Sequence, residues 1–367
     1  MAVHEIRVDP TRPLREQAQI GHNRWHPDIA PVVRCEPGDE VVLQTLDALD
    51  GQCTPATTNE QVADIDLLMV HPLTGPVHVA GAEPGDTLEV EILEMIPDSY
   101  GFTVQVPGFG FLRDYFPEPY VVHWELADGW AVSQQLPGVR VPAAPFLGTI
   151  GLPPGAANLR RTIEREQRAL DAGGMVLPPS VDGAVPTDPA IAESALRTVP
   201  PREQGGNVDI KQLTAGTRLF LPVDTPGALF SAGDAHFAQG DGEVCGTAIE
   251  MRATARVRFT VHSGWSITEP QFARTDYWVA PEYAAPRRFY ATTGRSVDPD
   301  GAVRPEDATH AARNALLQMI DHLQTRGWSR QQAYAICSVA VDLRVSQLVD
   351  VPHFVVTAFL PEDILTG

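Results

Sequence analysis

The stretch Glu83-Pro-Gly-Asp-Thr-Leu-Glu-Val-Glu-Ile-Leu93 carries the fold class of this 367-residue chain. Pro84 presets φ and Gly85 supplies a conformation that other residues avoid, so the first four residues read as a tight turn. After the turn Leu88, Val90 and Ile92 alternate with Glu89 and Glu91, which puts apolar groups on one face of an extended strand and charges on the other. The pattern recurs. Glu36-Pro-Gly-Asp39 precedes a β-like run at 40–46, and Thr214-Ala-Gly-Thr217 introduces another at 219–223. Further runs at 102–106 and 120–126 have the same Val, Ile, Leu and aromatic character. Repetition of the turn-then-strand unit suggests two halves built on a similar β plan.

Towards the C-terminus the period changes. Ala308, Ala312, Leu316, Met319 or Ile320, and Leu323 follow helical spacing, and Gly327 stops the run. Ser329 and Gln332 form a capping-box signature ahead of Ala333, Ile336, Cys337 and Ala340, and a last strand is expected at 354–359. The segment 159–170 is charged and helix-compatible, and 178–201 is rich in Pro, Asp and Ala. The expectation is a mainly β protein with a C-terminal helical hairpin. It divides as 1–158, a surface excursion or linker at 159–204, and a second β half at 205–367.

The chain has 47 acidic and 27 basic residues and a formal net charge of −20, which argues against a nucleic-acid groove or an anionic membrane surface as partner. Its 43% hydrophobic content supports a substantial core. No apolar run reaches a membrane span and the N-terminus lacks a signal pattern, so a cytoplasmic location is expected. Cys35, Cys53, Cys245 and Cys337 are too scattered for a disulfide framework or a zinc knuckle. Lys211 is the one lysine in the chain.

That lysine falls inside the most informative block, Gly205 to Met251, GGNVDIKQLTAGTRLFLPVDTPGALFSAGDAHFAQGDGEVCGTAIEM. Asp234 and His236 are two apart and leave the same face of a strand. Asp241-Gly242 is a hairpin-turn signal. A two-residue loop there sets His236 opposite Thr247 and puts Asp234, His236, Glu243 and Cys245 on one face, and a loop at 239–242 keeps that parity. Such a face suits zinc or a related divalent ion, against the alternative of a solvated hairpin. Asp209 and Lys211 form a second same-face pair. A desolvated lysine can donate a proton or polarise a carbonyl, which arginine cannot, although a salt bridge is the plainer reading. Upstream, one of His71 and His78 is a candidate ligand, and Asp47 and Asp50 are candidates to reach the same cleft. His22, Trp25 and His26 read as a pocket mouth or as packing. Cys245 is a nucleophile only if its pKa is depressed, and otherwise a buried small hydrophobe.

The Gly205 to Met251 block, with GHNRWHPDI, HPLTGPVHVAGAEPGDTLEVEI, GTIGLPP at Gly148 to Pro154 and VDLRVSQLVD at Val341 to Asp350, resembles the acetamidase/formamidase family. The resemblance implies hydrolysis of the C–N bond of a small uncharged amide to carboxylate and ammonium. It also implies a β-sandwich body with two related halves, a divalent metal (zinc first, calcium or another ion second), and a homo-oligomer, dimer or higher. By matching position it carries over Asp47, His71, Asn207, Asp209, Lys211, Asp234, His236, Gln239 and Glu243 as the polar site residues and leaves open which of them bind metal and which move protons; the reading taken forward puts Asp209, Asp234 and His236 on the metal, Glu243, Lys211 and Asp47 in catalysis, and His71, Asn207 and Gln239 at the substrate. Gln44 stands where the family often has Glu, in the run Gln44-Thr45-Leu46-Asp47. Two other readings remain open: a metal-independent Glu-Lys-Cys amidase using Glu243, Lys211 and Cys245, and a β-sandwich that binds a small molecule without turning it over.

Overall fold

A computed structural model of the chain describes residues 1–275 and 288–366. The Glu83 turn forms as read. Asp86 N donates to the Glu83 carbonyl (3.0 Å), Glu83 N donates to Asp86 Oδ2 (3.1 Å), and Gly85 takes φ 97°. The Glu36 turn repeats this, with the same two bonds at 3.0 and 3.2 Å and Gly38 at φ 91°. Leu88, Val90 and Ile92 are fully buried, each worth about 1.5–3 kcal/mol. On the opposite face Glu91 pairs with Arg258 (3.0 Å) and Glu89 with His262 (2.6 Å).

The strand launched by this turn does not end near residue 93. It runs as Thr87–Gln105 and absorbs the separate run expected at 102–106. Continuity comes from its partner, Glu250–His262, which pairs along it with register shifts between Met251 and Ala253 and between Arg256 and Val257. Those irregularities carry the pair past Pro97 without a break.

These two strands lie in the middle of a sheet that has 15 strands among the described residues. On one side follow Tyr120–Ala127, Trp130–Val132 and Arg140–Pro142; on the other, Phe230–His236, Phe146–Gly151 and Gly205–Asn207. Strands from before residue 158 and after residue 205 therefore alternate in one sheet and share one core. The protein is mainly β, as expected.

Both C-terminal helices form. Ala308–Thr325 packs on a three-stranded sheet of Phe289–Arg295, Val355–Pro361 and Asp342–Gln347. Arg330–Ala340 begins with the capping box, in which the Ser329 side chain accepts from Gln332 N and the Gln332 side chain accepts from Ser329 N. Its residues from Ala333 to Ala340 are all buried, so this helix serves as a core element. The charged segment at 159–170 lies within the helix Ala156–Asp171. Among the described residues no helix is long and apolar enough to cross a membrane.

Candidate active site

The strand Phe230–His236 runs between Phe146–Gly151 and Glu250–His262, and it carries Asp234 and His236 on one face. His236 pairs directly with Glu250 across the sheet, not with Thr247 as the short-loop register predicted. Asp241-Gly242 does not close this hairpin; residues 237–249 form a long connection instead. The cause is the C-terminal helix, which holds the connection away from the strands. Gly240 N donates to the Ser338 carbonyl (2.9 Å), Cys245 N donates to Ser338 Oγ (3.0 Å), and Leu343 N donates to the Asp241 carbonyl (3.2 Å). The loop then brings Glu243 back over His236.

His236 Nε2 lies 3.3 Å from Asp234 Oδ1, 3.2 Å from Glu250 Oε2 and 3.9 Å from Glu243 Oε1. Potential ligand atoms of Asp209, Asp234 and His236 fall within 4.8 Å of one another, as do those of His236, Glu243 and Glu250. Gly148 supplies the floor. A Cβ there would stand 2.6 Å from Asp209 Oδ1, 2.7 Å from His236 Cε1 and 2.9 Å from Asp234 Oδ2. Three of the acids occupy left-handed backbone: Asp209 at φ 47°, Asp234 at 56° and Glu243 at 43°. Asp tolerates that region; Glu does so at a cost of order 1 kcal/mol, which the surrounding structure must offset.

The electrostatics follow from crowding four acids around one imidazole. Burial pushes Asp209 and Glu250 up to about 7, with His236 pulling against it. Burial and then Asp209 hold Glu243 well above the usual carboxylate range. Asp234 goes the other way, because the charges on His71 and His236 outweigh its burial and keep it low. Burial disfavours charge on His236, yet Glu250 and Asp234 outweigh it and raise that imidazole well above its ordinary value. Asp209 Oδ1 is buried without a hydrogen-bond partner, and Glu250 Oε2 has only the His236 ring, at 3.2 Å. A carboxylate oxygen left unpaired among acids and an imidazole is what a divalent cation would satisfy, so the residues present fit a metal.

Other sequence-predicted residues take varied places. Gln239 sits behind the imidazole rather than on the cavity: its Nε2 donates to the Asp209 carbonyl (2.8 Å), which leaves Oε1 to accept from His236 Nδ1 (3.0 Å). That bond aims His236 Nε2 at the acids. Asn207 and His71 line the cavity. Burial holds His71 below its ordinary pKa, and its Nδ1 has no partner. Lys211 does not line the cavity; its ammonium pairs with Asp342 and lies 3.8 Å from Asp241. Asp47 is likewise off the site, closing its own turn by accepting from Leu49 N (3.0 Å) and Gly51 N (3.2 Å). Asp50 caps the Leu14 amide (2.7 Å) and Gln44 accepts from Val8 N (3.2 Å). His22, Trp25 and His26 are buried, and His78 does not reach the cavity. Cys245 Sγ faces the Val104 and Thr247 carbonyls at 3.6 Å, and burial raises its pKa. Sequence reasoning missed Glu250 and Gly148. Glu250 could have been found only with the loop length in hand, because a short loop pairs His236 with Thr247.

The cluster opens into a cavity of about 500 Å³. His71, Asn207, Asp209, Asp234, Glu243, Thr247 and Glu250 supply its polar side, the exposed Arg113 adds a cation to the lining, and much of the rest is apolar. The stretch read as a surface excursion contributes Met175, Leu177, Val199 and Pro201 to its wall.

The sequence profile of the Acetamidase/Formamidase family matches residues 7–366. An acetamidase of Mycolicibacterium smegmatis is 39% identical over 362 residues, which span 90% of this chain and 87% of that protein. A formamidase of Methylophilus methylotrophus is 36% identical, spanning 96% and 91%. Among solved structures, a gamma lactamase from Delftia acidovorans superposes with a TM-score of 0.93 at 35% identity, covering 100% of this chain and 94% of its own.

Proposed function

Because the chain belongs to the acetamidase/formamidase family and is an amidase, we propose that its acidic cluster is where water is added across the C–N bond of an uncharged amide, giving a carboxylate and ammonium. The observation that carries this assignment is the convergence of Asp209, Asp234, His236, Glu243 and Glu250 over Gly148 at the polar end of a largely apolar cavity.

Asp209, Asp234 and His236 would hold a divalent cation, zinc first by its affinity for imidazole and carboxylate together. Such a cation, when bound, supplies polarisation of the amide carbonyl and a lowered pKa for water. Everything else is work for the chain's own side chains. Glu243 lines the cavity with a carboxyl group that binds a proton tightly, which suits it to take a proton from the attacking water and return it to the departing nitrogen. Glu250 and Gln239 fix the imidazole from two sides. His71 faces the cavity with Nδ1 unpartnered, which suits it to orient the amide group, whereas Asn207 is held by Thr149 Oγ1 (2.8 Å) and the Val199 carbonyl (3.0 Å) and shapes the wall beside it. Lys211 and Asp47 act in the frame: Lys211 ties the Glu243 loop to Asp342, and Asp47 closes a turn.

The test is hydrolysis of linear amides by wild type and by Glu243→Gln and Glu250→Gln, on protein whose bound metal has been quantified. Loss of at least about 100-fold in kcat with metal retained in Glu243→Gln supports the general base; unchanged kcat refutes it. A second reading concerns ring amides, favoured by the likeness to a gamma lactamase. Opening a lactam releases no ammonia, so ring opening must be followed by product analysis alongside ammonia.

A further inference from the structure

Resting on the amidase reading, we propose that the preferred substrate is an amide with an apolar body of medium size rather than formamide or acetamide, and that Leu177 with Met175 forms the wall that selects it. A volume of about 500 Å³ is far larger than the smallest amides require. At roughly 30 Å³ per non-hydrogen atom, taking liquid water as the guide, acetamide would fill about a quarter of it. The remainder would hold water against an apolar surface, which is unfavourable. An acyl or ring group of about six to ten carbons fills that space and leaves room for water at the polar end.

The arrangement of the wall supports this. Leu67 and Val70 line the cavity from one loop and Phe109 from another, while Met175, Leu177 and Val199 come from the excursion, Val199 packing in one cluster with Leu67 and Val70. Met175 is 58% exposed although it lines the cavity, an apolar side chain left in water at the mouth of an apolar pocket. An unbranched thioether in that position adapts its shape to what it covers. The wall segment is also anchored from behind. Arg24, wholly buried, donates to the carbonyls of Asp182 (2.9 Å), Ser180 (3.3 Å) and Leu68 (3.3 Å), and Asn23 donates to those of Gly183 (2.8 Å) and Met69 (3.2 Å). These bonds bind the excursion to the loop that carries Leu67 and Val70, so the two sides of the wall are held as one surface.

The experiment is kcat/KM for the straight-chain series acetamide, butyramide and hexanamide, with benzamide and a simple γ-lactam followed by product analysis, in parallel with calorimetric binding of the same amides. Each methylene that enters the pocket is expected to raise kcat/KM by roughly four-fold, so hexanamide exceeds acetamide by on the order of 100-fold. Leu177→Ala, at a half-buried surface position, is expected to lower the hexanamide value by about ten-fold and so to narrow the hexanamide-to-acetamide ratio by a similar factor; an unchanged ratio refutes its role. Ammonia release that falls with chain length overturns the inference and leaves the amidase reading standing. No hydrolysis of any linear or ring amide removes the amidase reading, and calorimetry then decides the pocket by itself: affinity rising along the series upholds an apolar subsite, and a flat series refutes it.

Discussion

Replacing Gly148 by alanine probes the floor of the cluster with a single methyl group. Gly148 has ordinary extended backbone within Phe146–Gly151, so no conformational penalty attaches to the change and its effect is steric. The new Cβ would lie 2.6 Å from Asp209 Oδ1 and 2.9 Å from Asp234 Oδ2, about half an ångström to an ångström inside normal contact. Both carboxylates and the imidazole must withdraw together, and their neighbours on adjacent strands leave little room. Overpacking of this kind costs about 1–3 kcal/mol, or about 1–4 °C in Tm for a chain of this length. Catalysis is more sensitive, since a displacement of order 1 Å at reacting groups costs roughly 100-fold. The expected result is a folded protein with a small loss in Tm, at least about 100-fold lower kcat and reduced metal content. Wild-type turnover and metal content in Gly148→Ala would show that the cluster is not the catalytic centre.

Three further outcomes test the placement of individual residues. Cys245→Ala is expected to keep kcat within about two-fold while a chelator abolishes turnover; the reverse pair of results would restore the thiolate route. Lys211→Met removes the cation beside Asp342, whose side chain is 8% exposed, and should cost about 1–3 kcal/mol in urea unfolding with kcat/KM for acetamide little changed. Loss of turnover at full stability would return Lys211 to the chemistry. Burial raises the pKa of Asp50 to about 6, so the folded state binds its proton more tightly than the unfolded chain does. Stability from this group is present below about pH 4 and is lost as pH rises towards 6. Asp50→Asn keeps the acceptor for Leu14 N and should raise Tm by about 2–4 °C at pH 8 with little gain at pH 4, measured by calorimetry.

What could be read from the chain followed the range of the interactions concerned. The turn at Glu83 and the capping box at Ser329 are closed by residues three apart, and both form as read. Alternation at Leu88, Val90 and Ile92 told which face is buried because the period is local. The end of that strand was not legible, since Thr87–Gln105 is sustained by pairing with a partner more than a hundred residues away. The site divides similarly. Asp234 and His236 share a face by parity alone, and Glu243 was placed near them for a reason that did not survive: a short hairpin instead of a long loop that bends back. Glu250 was hidden by the same assumption. Lys211 drew attention by its rarity in the composition, and rarity says nothing about which carboxylates wait for it across the fold.

The loop at 237–249 has a consequence for the order in which the molecule is made. Its position depends on Tyr334, which donates to the Val244 carbonyl, on Ser338, and on Asp342, which accepts from Asp241 N at 3.1 Å. All three anchors are synthesised some ninety residues or more after the loop itself. A ribosome-bound chain that has exposed every residue of the cluster, Asp209 to Glu250, still lacks what bends Glu243 towards His236. The approach of Glu243 to His236 therefore waits on a part of the chain that emerges last, the helix Arg330–Ala340 and the start of Asp342–Gln347.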